Sequence, residues 1–488
     1  MNLPSRKRDY KQGKVRSMSS FVSITPVVSY ASAQGAGHSI KSALKEFFDN
    51  SWDADATWMK FFVAKDINGK PMVIIADNGI GLDESQIVNC IRSGYTSKRS
   101  NYVSLLDRSP IGKFGHGGKN AIAKLASNAT IISRSINEAS PLISQNYNQK
   151  EIQKSGEWLV ESPRVIRYGT GNELDEWHRS LWANYMKDDT GLATADHGTM
   201  IVLRNLTPTF ENTLRMGMSF EPTKNFEKSY GCLIAETYNK MLSENFKAFI
   251  GISFETLVQI KPLDPVALQN LNGLVNVVPS NYLRETETFK INGFDAVVNL
   301  YSIDEVLHKD KKLNSRPMNN QNSGIYAYRN GRLHLCGLEL PMQAFVPERG
   351  VAKLPQSKKA GERGIFPESH GRNNNVRVEL IFPSQLDDVF GVNVNKTEIS
   401  FTDDASELAV WVWTMVRYYD KYDLAQREGR KVKRVSTPAK KFTTVFGTAK
   451  RHTTVAQQKA VSRFKTTVDR KVANDAIATF ISELSTEA

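Results

Sequence analysis

The sequence predicts an α+β protein built as two folded blocks between basic ends. Three observations lead there. From residue 38 to about 205, segments of helical period interleave with short runs rich in β-branched and aromatic residues. From about 227 to 402, strand patterns dominate around one strong helix pattern, Cys232 to Leu242. Charge is segregated: residues 1–20 hold six Lys and Arg against one Asp, and residues 421–471 hold fifteen against three acids. The body between them is close to neutral although the whole chain carries +13.

The bulk numbers fit this picture. A chain of 488 residues suggests about three domains as a prior. Its 40% apolar and 24% charged residues can bury a core, which excludes disorder throughout. No apolar run reaches bilayer length, so no membrane association is expected. Residues 1–20 are polar and basic without an apolar stretch, so a secretory signal is not expected. Cys90, Cys232 and Cys336 are too few and too far apart for a disulfide framework or a cysteine-rich zinc module. They fit a reducing cytoplasm, with nucleoid or nucleus as the place if DNA is the partner.

Along the chain, residues 38–56 read as a helix, Thr57 to Ala64 as a strand and Asn68-Gly69 as a hairpin turn. Pro71 to Ala76 is the return strand and stops at Asp77-Asn78-Gly79. A short helix over Glu84 to Arg92, a glycine-rich loop over Gly112 to Gly118 and a helix from Lys119 to Ala126 follow. Ala129 to Arg134 reads as a strand, 137–155 as a polar excursion, and His197 to Asn205 as a turn feeding a strand. Residues 206–226 look like a connector. Strand patterns then cover Phe249 to Ile260, Phe294 to Tyr301, Gly324 to Tyr328 and Val376 to Phe382, with polar loops at 306–323 and 352–375. An amphipathic helix is expected over 404–425, and an apolar stripe at helical spacing over Val472 to Leu484. The expected domains are a basic segment 1–30, a first domain 31–210, a second 211–402 and a basic, helical extension 403–488.

Four short segments carry the chemistry. In the first helix Glu46, Asn50 and Asp53 are spaced by four and three residues and share a face. A carboxamide oxygen suits Mg²⁺, and a carboxylate one turn away can activate a water; a solvated polar face has the same pattern. In Asp77-Asn78-Gly79-Ile80-Gly81 a carboxylate ends a strand beside two glycines. It can accept from an exocyclic amine while backbone approaches closely, or be simple turn chemistry. Thr96-Ser97-Lys98 and then Ile111 to Asn120 bring Gly112, Gly115, Gly117 and Gly118, with Lys98, Lys113, His116 and Lys119, to the start of a helix. That is an anion site by type, without the spacing of a Walker loop. The last segment is Gly198-Thr199 at the head of a strand.

In this order and spacing the four segments resemble the GHKL ATPases, the superfamily of DNA gyrase, the ninety-kilodalton heat-shock chaperones, MutL and sensor histidine kinases. The resemblance implies a Bergerat-type α/β sandwich, a mixed sheet with helices on one face, followed by an α+β transducer domain. It implies ATP and Mg²⁺, with Glu46 as general base and Asn50 as metal ligand, Asp53 beside them. Asp77 would read adenine with Thr199 assisting, Gly79 and Gly81 would shape the pocket, and Gly112 to Lys119, with Lys98, would close over the phosphates. Thr96-Ser97-Lys98, the Ile111 to Lys119 segment and Gly324-Ile-Tyr-Ala-Tyr-Arg-Asn-Gly-Arg332 look like the MORC and MutL branch. There Lys396, in Gly391-Val-Asn-Val-Asn-Lys, would sense the γ-phosphate.

The chain departs from that branch in lacking the MutL endonuclease motif and the zinc-type CW module. The expected function is slow ATP hydrolysis as a conformational switch, with ATP closing a homodimer through residues 1–30. A basic tail over 421–471 suggests sequence-independent DNA binding. The alternative is a chaperone-like or scaffold ATPase with a protein partner.

Overall fold

The computed structural model describes residues 39–92 except 67, 104–112, 117–155 except 138, 160–215 except 189, 230–266, 268–269, 276–277, 283–302, 324–338, 376–392, 399 and 401–419. The basic ends, the 472–484 stripe and the loops at 306–323 and 352–375 lie outside these residues. Among the described residues no helix is long and apolar enough to cross a membrane.

The first unit is built on a mixed sheet of eight strands in the order β5-β4-β3-β6-β2-β1-β7-β8. These are β1 (Trp58–Lys65), β2 (Pro71–Asp77), β3 (Ala126–Arg134), β4 (Ile143–Asn148), β5 (Arg164–Val165), β6 (Gly198–Leu206), β7 (Lys247–Gly251) and β8 (Val258–Ile260). Neighbours run antiparallel except β1 and β7, which pair parallel. The β1–β2 hairpin forms where Asn68-Gly69 predicts it. Asp66 accepts from the amides of Asn68 and Lys70, and Gly69 takes the left-handed φ of +73°.

Helix α1 (Ile40–Asp53) starts at Ser39, whose hydroxyl accepts from the Ser42 amide at 3.0 Å. It stops at Ala54, before Asp55 at a φ of +57°. Ala43, Leu44, Phe47 and Phe48 pack it onto one face of the sheet against Met59, Phe61, Val73 and Ile75. Further helices follow: α2 (Glu84–Ile91), α3 (Gly117–Leu125), α4 (Gln149–Ser155), α5 (Glu173–Tyr185), α6 (Pro208–Arg215) and α7 (Tyr230–Thr237). Residues of α3, α4, α6 and α7 join α1 in the same apolar core. Expectation and fold differ at α5. Its Leu181 and Trp182 cover Phe62, Ile74 and Met200 on the opposite face, so helices lie on both faces of the sheet.

Two further differences have physical causes. The polar excursion at 137–155 contains β4 and α4. Strand β4 reads as loop because its residues are polar, yet Ser144 and Gln145 are buried and Asn146 accepts from the Thr130 hydroxyl across the pair. The sheet also runs past residue 210, since β7 and β8 belong to it. The strand pattern Phe249 to Ile260 splits into those two strands around a single helical turn at Phe254–Thr256.

A short pair, β9 (Leu268–Gln269) and β10 (Asn276–Val277), leads into the second unit. That unit holds a five-stranded sheet in the order β11-β12-β15-β13-β14, from β11 (Leu283–Ile291), β12 (Phe294–Ser302), β13 (Gly324–Arg329), β14 (Arg332–Leu338) and β15 (Val376–Phe382). Its side chains alternate with period two. Val298, Leu300, Ile325, Ala327, Val378 and Leu380 face the helix α8 (Ser406–Tyr418). Tyr301, Tyr326 and Tyr328 cluster apart from that core, and Glu379 pairs with Lys240, which follows α7. One sheet thus has a dry face inside its own unit and a tyrosine-rich, charged face toward the first.

Candidate functional site

The site is assembled where strand ends meet α1. Asp77 is the last residue of β2, and the pairing of β2, β6 and β3 sets Thr199 beside it and Ser133 beside Thr199. Ser133 and Thr199 share a hydroxyl hydrogen bond of 3.1 Å. The Asp77 carboxylate accepts from the Gly79 amide at 3.0 Å and from the Ser51 hydroxyl at 3.1 Å. Burial pushes its pKa up to about 6. The Gly79, Ser51 and Thr199 donors and nearby His197 hold it from rising further.

The loop after Asp77 is sewn to its surroundings. The Ile80 amide donates to the Ala54 carbonyl, the Ile80 carbonyl accepts from Ile136, and the Leu82 amide donates to Ser133 Oγ. A Cβ on Gly79 would stand 2.6 Å from the Ala54 carbonyl oxygen, and one on Gly81 1.9 Å from that of Arg134. Both glycines are therefore demanded by close backbone approach, and Gly81 also by its φ of +67°. Asn78 serves the turn, accepting from the amides of Thr57 and Trp58.

The other end of the site is the polar face of α1 under the first turn of α3. A Cβ on Gly117 would lie 1.7 Å from Glu46 Oε2, and one on Gly118 2.8 Å from Asn50 Nδ2. The N-terminus of α3 thus rests on these two side chains. Its first backbone N–H groups and positive dipole end stand beside a carboxylate and a carboxamide. Glu46 is buried, whereas Asn50 is exposed and open to a ligand. Lys119 is the third residue of α3; burial lowers its pKa to about 8, partly offset by the Cys90 thiol.

Asp53 holds structure together. Its two carboxylate oxygens accept from the amides of Ile111 and Gly112 at 2.7 and 2.8 Å. Asp55 does the same for the start of this strap, accepting from Leu105 N–H at 2.7 Å and from the Ser104 hydroxyl. Arg108 stacks over Trp52 and donates to the carbonyls of Ala56 and Asn245. Residues 104–112, leading into the glycine-rich loop, are thereby pinned to the end of α1.

Of the residues expected in the site, Glu46, Asn50, Asp53, Asp77, Gly79, Gly81, Gly112, Gly117, Gly118, Lys119 and Thr199 converge around α1. Lys98, Lys113, Gly115, His116 and Lys396 lie outside the described residues. Sequence reasoning missed Ser51 and Ser133, the partners of Asp77 and Thr199. Ser51 is legible in hindsight, one residue past Asn50 on the same helix; Ser133 is reached only through strand register.

Asn50 fits a hydrated Mg²⁺, an ion that keeps several waters and takes one or two protein oxygens beside phosphates. Residues 38–178 match the family described as histidine kinase-, DNA gyrase B-, and HSP90-like ATPase. The chain carries a GHKL-type ATPase domain. The curated relatives that this part of the chain resembles include MORC proteins. Mouse ATPase MORC2B is 30% identical over 112 residues, which are 22% of this chain and 10% of that protein. Protein MICRORCHIDIA 2 of Arabidopsis thaliana is 26% identical over 189 residues, covering 34% of this chain and 29% of the relative. Protein MICRORCHIDIA 5 of the same plant is 29% identical over 205 residues, covering 37% and 28%. The match spans less than a third of each of these relatives.

Proposed function

We propose that the protein binds ATP with Mg²⁺ in the cleft between α1 and the ends of β2 and β6, and hydrolyses it slowly as a conformational switch. The observation that carries this reading is the opposition of Glu46 and Asn50 to the glycine N-terminus of α3, with Asp77 bonded to Ser51, the residue after Asn50 on α1. Asp77 accepts from the adenine amine, and Thr199 assists. The backbone N–H groups that open α3, with Lys119, face the phosphates. Glu46 orients a water and takes its proton as the water attacks the terminal phosphorus, giving ADP and phosphate. Asn50 is the protein ligand for Mg²⁺, which when bound neutralises charge on the phosphate oxygens. Lys98, Gly115 and His116 complete the lid, and Lys396 of the transducer reads the γ-phosphate.

The switch acts through ATP-driven dimer closure on duplex DNA, without sequence preference. The net charge of 421–471 supports this: fifteen basic against three acidic residues suit a phosphate backbone. The experiment is ATP turnover with and without duplex DNA, with Glu46→Ala as the blank. Turnover above the blank that rises with DNA, and loses that rise when the chain is cut after Asp420, is expected. Turnover indifferent to DNA moves the switch to a protein client. Turnover equal to the blank removes the ATPase assignment.

A further inference from the structure

The turn between β13 and β14, Arg329-Asn330-Gly331-Arg332, is where the second unit touches the catalytic elements. Arg329 grips Asp387 of its own unit at 2.5 and 2.8 Å and donates from its remaining nitrogen, Nη1, to the Ile111 carbonyl at 2.8 Å. Asn330 donates to the Pro110 carbonyl at 2.7 Å and accepts from the Ser384 amide at 3.0 Å. The strap before the lid is therefore a ribbon held along both edges. Its amides at 111 and 112 belong to Asp53 of α1, and its carbonyls at 110 and 111 belong to the second unit. The second unit cannot shift against the first without dragging the strap or leaving buried polar groups unpaired.

Arg332 reaches α1 itself. It forms an ion pair of 3.1 Å with Asp49, and both side chains are almost wholly buried. Asp49 also accepts from the Tyr238 hydroxyl at 2.6 Å. It lies one turn beyond Glu46 on α1. A buried pair of this kind is poor value as glue, because desolvation offsets most of the attraction; its attested use is to fix one register.

We propose that this turn is the positioning element through which the second unit controls hydrolysis. Arg332 acts through Asp49 on the helix that carries Glu46, and Asn330 acts through the Pro110 carbonyl on the strap 110–112 that Asp53 of the same helix holds. This rests on the ATPase reading above. It assigns the coupling to residues that touch no nucleotide, separate from any lysine that does.

The test uses the full chain and two variants chosen to fold. Asn330→Asp keeps a residue tolerant of the left-handed φ of +48° and the acceptor for Ser384, and loses the donor to Pro110. The double variant Asp49→Asn with Arg332→Gln removes both buried charges together. Thermal unfolding, ATP affinity by calorimetry and steady-state kcat are measured on each, with Arg332→Lys as the conservative control. Expected are a kcat at least about tenfold down in both variants, ATP affinity within about twofold of wild type, and partial recovery in Arg332→Lys. Unchanged kcat in folded variants overturns the inference while leaving the ATPase. Affinity, kcat and melting temperature falling together overturn it too, by showing a merely structural joint. Wild-type turnover equal to the Glu46→Ala blank ends the ATPase reading and this inference with it.

Discussion

The two ends of the cleft are built differently. At the Asp77 end, three antiparallel strands terminate side by side; register sets Thr199 and Ser133, while Gly79 of the turn and Ser51 of α1 hold the carboxylate. At the Glu46 end, one helix N-terminus lies against another helix, and closeness comes from two missing side chains, Gly117 and Gly118. Strand register leaves little room for movement, because a one-residue slip turns every side chain to the other face. A helix end seated on a polar face can lift and return. The first arrangement suits recognition of an unchanging base; the second suits a phosphate group that is present in one state and gone in the next.

The largest test of this contrast is Gly117→Ala. The added methyl occupies the place of the Glu46 carboxylate, so α3 must move away. Turnover should fall by about two orders of magnitude or more, with a smaller loss of ATP affinity, read by single-turnover kinetics and calorimetry. Next comes Asp77→Asn at the rigid end, where a charged acceptor becomes neutral. ATP affinity should weaken by about ten- to a hundredfold by calorimetry. Unaltered affinity would take Asp77 out of the adenine contact.

The pH dependence follows from the same carboxylate. Its folded pKa of about 6 lies above the ordinary 3.8, so the unliganded fold holds the proton more tightly than the unfolded chain. That contribution, up to about 3 kcal/mol, is fully present below about pH 4 and lost as pH rises through about 6. ATP binding calls for the ionised form, so affinity should drop roughly tenfold per unit well below pH 6. Both slopes should vanish in Asp77→Asn, in melting curves and in binding isotherms. The smallest expected effect is Ser51→Ala, which removes one of the donors to Asp77. A loss of about two- to tenfold in ATP affinity, with kcat unmoved, would mark it as a partner of the base end alone.

Local chemistry was legible in the sequence wherever local geometry carries it. Glu46, Asn50 and Asp53 sit on one helix because their spacing is helical. The hairpin at Asn68-Gly69 follows from turn chemistry, and the halt of β2 at Asp77 from the run Asp-Asn-Gly. Legibility failed where a partner is remote in sequence. Asp53 shows a carboxylate one turn from Asn50 but not that the amides of Ile111 and Gly112 consume it. Asp49 and Arg332 are 283 positions apart in the numbering, and neither pattern announces the other. Strand β4 hid behind polar residues whose burial depends on neighbours across the sheet. Ser133 is visible only once β3 and β6 are in register.

The parallel pairing of β1 with β7 bears on how the chain is made. Trp58 and its partner Lys247 are separated by almost two hundred residues, so on the ribosome β1 emerges long before the strand that flanks it. Until then the nascent sheet shows an open border at Trp58, Met59, Phe61 and Phe62, a sticky template for any passing chain. A fragment ended at residue 210 would keep that border for good and should aggregate. One carried through Ile260 covers it, and is the shorter piece to attempt for expression.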